Sequence, residues 1–200
     1  VFLGEAVHYS GSDFLAKTEF IKYLVTEHDY KDIAFESDFF ALLFDHNKRN
    51  LYTMWSESNQ CKELFDFLKK NNVTIWGFDN KLYSSYSYQN FSKKLSEILL
   101  ENGIELNSEF TRLTKLIIKN QYNSRKELSK KEIEFLKKYT LELQNYEIIK
   151  SNKLWFQIVK NIESTIELYT IKDNSSDENR IVIRDKQRAE NLDYLVKSNP

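Results

Sequence analysis

Three short apolar runs of this chain each close on a carboxylate. They are VFLGEAVH, ending in Glu5 and His8, DIAFESDF, carrying Glu36, and VTIWGFDN, carrying Asp79. An apolar run bounded by polar residues and followed by helical spacing predicts a buried strand of a parallel sheet. The strands expected are 1–6, a short run around Ile33, Ala34 and Phe35, and Val73–Phe78. Between the first two, residues 13–28 place Phe14, Ile21, Leu24 and Val25 at helical spacing, with Ser12 or Asp13 as the N-cap. A helical stretch over 39–71, broken near Asn47–Asn50, separates the second and third. Residues 1–80 therefore predict a βαβαβ unit whose long crossovers make the strands parallel.

From residue 84 the period is helical throughout. The pattern predicts helices over Tyr88–Asn102, stopped by Gly103, over 107–120, from Ser129 to about 150, over Lys153–Ile171 and over about 181–197. Ser129 with Glu132 is a capping-box spacing. The run from Asp173 to Asn179 has no apolar anchor and predicts a loop, and the run from Tyr83 to Tyr88 reads as the loop into this helical half. The fold class expected is α/β: a parallel sheet with flanking helices plus an inserted helical subdomain. Its parts are 1–83 as core, 84–180 as helical subdomain and 181–200 as a helix returning to the core. Three strands make a small sheet, and the chain opens at Val1 inside a strand, so the reading is of a piece of a longer protein with more strands after Pro200.

Composition narrows the function. Lys and Arg total 29 against 30 Asp and Glu, a net charge of -1, which supplies no global basic field for nucleic acid. No stretch approaches the roughly 20 apolar residues of a membrane span. The single Cys61 excludes an internal disulfide framework and a cysteine zinc cluster. The partner expected is a small molecule, with neither nucleic acid nor membrane; the compartment expected is the cytoplasm, and no oligomeric state follows.

The chemistry expected lies at the strand ends, because ligands of open α/β sheets bind beyond the carboxyl ends of the strands. Gly4 permits close backbone approach, and His8 stands just before the first helix, whose N-terminus favours negative charge. A histidine so placed can deprotonate water near neutral pH while a carboxylate such as Glu5 orients it. Glu36 follows an apolar run, where an unpaired carboxylate is costly, so it should be paired, protonated or catalytic; a capping role shared with Ser37 and Asp38 is the plainer alternative. Asp79 is either a site residue or a turn residue before Asn80. His28, at a helix end, and His46, in a polar stretch, receive no role. A histidine with carboxylates could also ligate Mn, Fe or Zn, but Glu5 and His8 would point to opposite faces of a continuing strand. Metal-free acid–base work with no cofactor is the preferred reading.

Four motifs in order then resemble the erythromycin esterase-like family: LGEAVH with the following helix of Phe14 and Lys17, IAFESD ending in Glu36 and Asp38, WGFDN with Asp79, and RDKQRAEN opening at Arg184 and Asp185. The resemblance implies a hydrolase with an inserted helical bundle and water attack on an ester such as a macrolactone, possible antibiotic inactivation included. It makes His8 the general base, with Glu5 and Glu36 orienting and polarising around it, and brings Lys17, Asp79, Arg184 and Asp185 to the substrate cleft. Tyr9 stands where the family has glycine and Arg188 where it has methionine, and a further family histidine would fall after Pro200. Two rivals stay open: a metal-dependent Tiki-like hydrolase, and a non-catalytic small-molecule-binding module of the same fold.

Overall fold

The computed structural model describes residues 1–4, 10–119, 128–171 and 178–198. It is a mostly helical α/β chain around a two-stranded parallel sheet. In order, the elements are α1 (Gly11–His28), β1 (Asp32–Asp38), α2 (Phe39–Phe44), α3 (Thr53–Ser56), α4 (Lys62–Lys70), β2 (Thr74–Asp79), α5 (Ser85–Leu100), α6 (Ser108–Lys119), α7 (Lys130–Asn145), α8 (Glu147–Lys150), α9 (Lys153–Thr170) and α10 (Glu178–Ser198). Single turns of 3-10 helix at Lys48–Asn50 and Asn59–Cys61 interrupt the crossover between the strands, close to where Asn47–Asn50 predicts the break.

The expected strand 1–6 is not seen in Val1–Gly4, which have no ladder partner, and its remaining residues lie outside those described. Val1 and Phe2 stay largely exposed, so pairing them into the sheet gains little apolar burial in the arrangement seen. Helix boundaries follow local chemistry more closely. Ser129 and Glu132 form the capping box, each side chain accepting from the other's backbone amide. At α5 the cap is Ser84, whose hydroxyl accepts from Ser87 N, so this helix opens three residues before the expected Tyr88. Gly103 adopts φ 69°, the left-handed conformation that glycine tolerates, just past the end of α5. The first helix opens at Gly11, ahead of the predicted caps Ser12 and Asp13. The predicted loop at 173–179 lies outside the described residues up to 177, and Glu178 and Asn179 already belong to α10.

Two hydrophobic cores flank the sheet. Phe35, Val73 and Ile75 join Phe14, Ile21 and Val25 of α1 and Leu64, Phe65 and Leu68 of α4. Trp76 points the other way, to a larger core in which Phe39 and Phe40 meet residues of α5, α6, α7 and α9 such as Phe91, Phe110, Leu136 and Ile158. Successive strand residues face opposite sides, so Ile75 and Trp76 serve different cores. Each such side chain contributes on the order of 1.5–3 kcal/mol of burial.

The strand register carries an irregularity that shapes the site. Phe35 pairs with Gly77 and Asp38 with Asp79, so Glu36 and Ser37 together face Phe78 alone, a β-bulge. A Cβ on Gly77 would come within 2.5 Å of Asp38 O and 2.6 Å of Ser37 O. Only glycine permits this approach of the bulged backbone.

Candidate active site

The bulge and the end of β2 deliver Glu36 and Asp79 to α10. Asp79 is fully buried, and both of its oxygens accept hydrogen bonds. Oδ2 receives Tyr52 OH at 2.6 Å, Arg184 Nη2 at 2.6 Å and Arg188 Nη2 at 3.3 Å, while Oδ1 faces Arg184 Nε at 3.3 Å and Arg188 Nε at 3.4 Å. Burial alone would push the Asp79 carboxyl up; the Arg184 and Arg188 guanidiniums outweigh it and hold Asp79 well below the usual carboxylate range. Burial works against the charge of Arg184 too, and Asp79 more than offsets it, so that guanidinium is held above its ordinary value.

Glu36 takes the same arginines on one oxygen. Its Oε1 accepts from Arg184 Nη2 at 3.2 Å and, more closely, from Arg188 Nη2. The side chain is 41 % exposed, and it also lines a cavity of about 510 Å³ that runs between α1 and β1 past Phe35, Trp55 and Phe78. Glu36 thus stands where an apolar hollow meets an arginine pair. Lys17 lines the same cavity, its ammonium 5.2 Å from the Trp55 ring centroid and 5.7 Å from that of Phe14. A cation over an aromatic face is a favourable placement.

Of the residues expected to form a site, the structure brings together Glu36, Asp79 and Arg184. It puts Lys17 in the adjoining cavity. Asp185 is exposed at the margin, 3.4 Å from Arg188 Nη1. Glu5 and His8, the expected orienting acid and base, lie outside the described residues, and so does Tyr9. His28 meets Tyr23 OH at 3.2 Å, and the Nδ1 of His46 lies 3.0 Å from Ile75 O at the edge of β2; both stand away from this cluster.

Asp38 does not share a cap with Glu36. It is fully buried and accepts from Ala41 N, Tyr83 N, Ser84 N and Ser87 Oγ, tying the end of β1 to the starts of α2 and α5. Burial pushes its carboxyl up, against the pull of those donors.

Tyr52 joins the site unmarked in the sequence, and Arg188 joins it marked there only as a departure from the family pattern. For Arg188 a signal exists. Arg184, Gln187, Arg188, Asn191 and Leu195 recur at helical spacing, and this stripe, polar except for Leu195, is the docking face of α10. Asn191 Nδ2 donates to Phe78 O and to Asn161 Oδ1, and its Oδ1 accepts from Gln157 and Gln187. The Asn80 carbonyl accepts from Asn161 and Thr165 of α9. These bonds clamp the last residues of β2 to α9 and α10 and so set where the two guanidiniums stand. Tyr52 lies in the irregular crossover, where no periodicity marks it; its ring stacks on Tyr83 at 4.3 Å.

Among the described residues no three His, Cys, Asp or Glu side chains converge as a metal site, and no helix is long and apolar enough to cross a membrane. No family model, curated protein or solved structure matches the chain.

Proposed function

We propose that this chain carries the catalytic core of a metal-independent hydrolase acting on a small-molecule ester or macrolactone, as its resemblance to erythromycin esterases implies. The supporting observation is Glu36 at the junction of the cavity and the arginine pair. A substrate body of apolar character fits the hollow beside α1 and β1, and pockets of this size suit small ligands. Glu36 Oε1 is committed to Arg184 and Arg188. Oε2 has no partner among the described residues and is the oxygen that can orient a water molecule or an imidazolium. In this reading the mobile proton belongs to His8, which takes it from water, with Glu5 and Glu36 holding the ring and the nucleophile in line. Arg184 and Arg188 hold the Asp79 carboxylate ionised, and a guanidinium at that position can stabilise charge developing on the carbonyl oxygen.

The wider architecture belongs to the same proposal: a larger parallel sheet with flanking helices, into which residues 84–180 are inserted as a helical subdomain. So do a cytoplasmic setting, the absence of nucleic-acid partners and a role in antibiotic inactivation. The metal-dependent alternative would need Asp79 as a ligand, and both Asp79 oxygens already serve two arginines and a tyrosine.

Turnover of a panel of esters and macrolactones by wild type, His8→Ala and Glu36→Gln tests the reading. Loss of turnover by about 10²-fold or more in each variant, with the helical signal retained, is the expected result. Undiminished activity in His8→Ala removes the proposed base. Stoichiometric Mn, Fe or Zn in the purified protein would favour the metal-dependent alternative, and no turnover by wild type on any ester would favour the binding module.

A further inference from the structure

One stripe of α1 and most of β1 enclose the cavity lengthwise. Phe14, Lys17, Ile21 and Leu24 recur at helical spacing on α1, and all four line it. Opposite them, every residue from Asp32 to Glu36 lines it too. Successive side chains of a strand point to opposite faces, so consecutive lining residues mean that the hollow follows β1 along its axis. Contacts fix both ends. At one end the Trp55 ring lies 4.6 Å from that of Phe14 and 5.6 Å from that of Phe35, the neighbour of Glu36. At the other, Tyr30 N donates to Leu24 O at 3.3 Å, two residues before Asp32.

Four strand steps from Asp32 to Glu36 make the trough roughly 13 Å long, and ten helix steps from Phe14 to Leu24 give roughly 15 Å. Spread over roughly 13 Å of strand, its volume of about 510 Å³ gives a section near ~40 Å², ~7 Å across. With carbon–carbon contacts at ~4 Å, that width takes one hydrocarbon chain or one planar ring and no macrocycle. Its acids stand at the two ends. Glu36 meets the arginine pair, and Asp32 accepts from Trp76 Nε1 at 2.7 Å. Between them the walls are apolar, with Ile21, Leu24, Ile33 and Leu64. Lys17 lays its ammonium 5.2 Å from the Trp55 ring centroid, so its aliphatic stem also serves as wall.

We propose that the substrate is an ester of an unbranched aliphatic acid, its acyl chain of about ten carbons laid along this trough from Glu36 towards Asp32. An extended chain advances about 3.3–3.6 Å per three bonds, so roughly 13 Å holds ten to twelve carbons. Burial of the methylenes drives binding, and the ester carbonyl stays at the end where Glu36 meets Arg184 and Arg188. The inference rests on the hydrolase reading for the ester, and on the trough alone for the chain.

Two measurements on the full chain separate these parts. Calorimetric titration with the sodium salts of hexanoic, octanoic, decanoic, dodecanoic and tetradecanoic acids reads the trough without turnover. Affinity should rise at least about tenfold from hexanoate to decanoate and level off beyond dodecanoate, where the trough ends. The kcat/KM values for p-nitrophenyl esters of the same acids should follow the same order. Leu24→Trp, which fills the far end, should cut the decanoate-to-hexanoate ratio about tenfold in both measurements. Chain-length-dependent binding without turnover keeps the trough and removes the hydrolase reading. Turnover that is indifferent to chain length keeps the hydrolase and overturns the trough. No binding of any of the acids, a rise that continues through tetradecanoate, or an unchanged ratio in folded Leu24→Trp also overturns it. Should Leu24→Trp not fold, the wild-type chain-length series decides.

Discussion

Glu36 and Asp79, on neighbouring parallel strands, share one nitrogen: Arg184 Nη2 lies 3.2 Å from Glu36 Oε1 and 2.6 Å from Asp79 Oδ2. The two acids are 43 residues apart, and the arginine that joins them comes more than a hundred residues later. Arg188, one turn on, reaches the same pair. The strand ends and α10 are thereby held as one unit, with two acids against two bases.

The fully buried Asp79 is the member whose loss should be felt most. Asp79→Ala leaves Tyr52 OH and two partly buried guanidiniums short of an acceptor, and removing one partner of a buried ion pair costs about 3–5 kcal/mol. Urea unfolding of the variant should show a loss of about 3 kcal/mol. A loss below about 1 kcal/mol would mean that Glu36 alone satisfies both arginines.

Acid should weaken the protein through the same residue. Asp79 is held below its ordinary value in the folded chain, so the folded state binds fewer protons there than the unfolded state. Its contribution is fully present above the ordinary carboxylate range near pH 4 and is lost as pH falls towards the depressed value. Asp38 has the opposite sign: raised by burial, it contributes below its ordinary value, and that share is lost as pH rises through its folded value. The urea midpoint of wild type should therefore fall between pH 5 and pH 2 more steeply than that of Asp79→Asn. Equal slopes would remove Asp79 as the source of acid sensitivity.

Gly77 is required by packing, not by φ. Gly77→Ala would drive a methyl group into the carbonyls of Ser37 and Asp38, and the bulge that carries Glu36 would have to move. Overpacking of this kind costs about 1–3 kcal/mol. Thermal melting should register that loss, and turnover, where present, should fall with it. A melting curve identical to wild type would show that the bulge relaxes freely.

Asn191 anchors α10 in place of an apolar side chain. Asn191→Leu keeps the branched shape but strips partners from Phe78 O, Asn161, Gln157 and Gln187. Each buried polar group left unsatisfied costs about 1–3 kcal/mol. The variant should lose at least about 2 kcal/mol and show faster amide exchange along α10, whereas removing the exposed Lys197–Asp193 pair should cost less than about 1 kcal/mol.

The sequence by itself determined much of the helical half. The Ser129–Glu132 box and the stop at Gly103 are read within four or five residues, because helix ends are satisfied by groups on the same short stretch of chain. It also predicted the two parallel strands that carry Glu36 and Asp79, since apolar runs joined by a long crossover favour that pairing, but the same pattern predicted a strand over 1–6 that Val1–Gly4 do not form. What only the tertiary structure decided is who pairs with whom. The partners of Glu36 lie on a helix about 150 residues away, the bulge at Glu36 and Ser37 exists only in the register between two strands, and the polar stripe of α10 looks like a solvated face until Asn161, Gln157 and the Phe78 carbonyl are placed against it. Apolar periodicity shows which side of an element is greasy; it cannot show that a face is buried through hydrogen bonds and ion pairs, because those depend on the donors and acceptors of other elements.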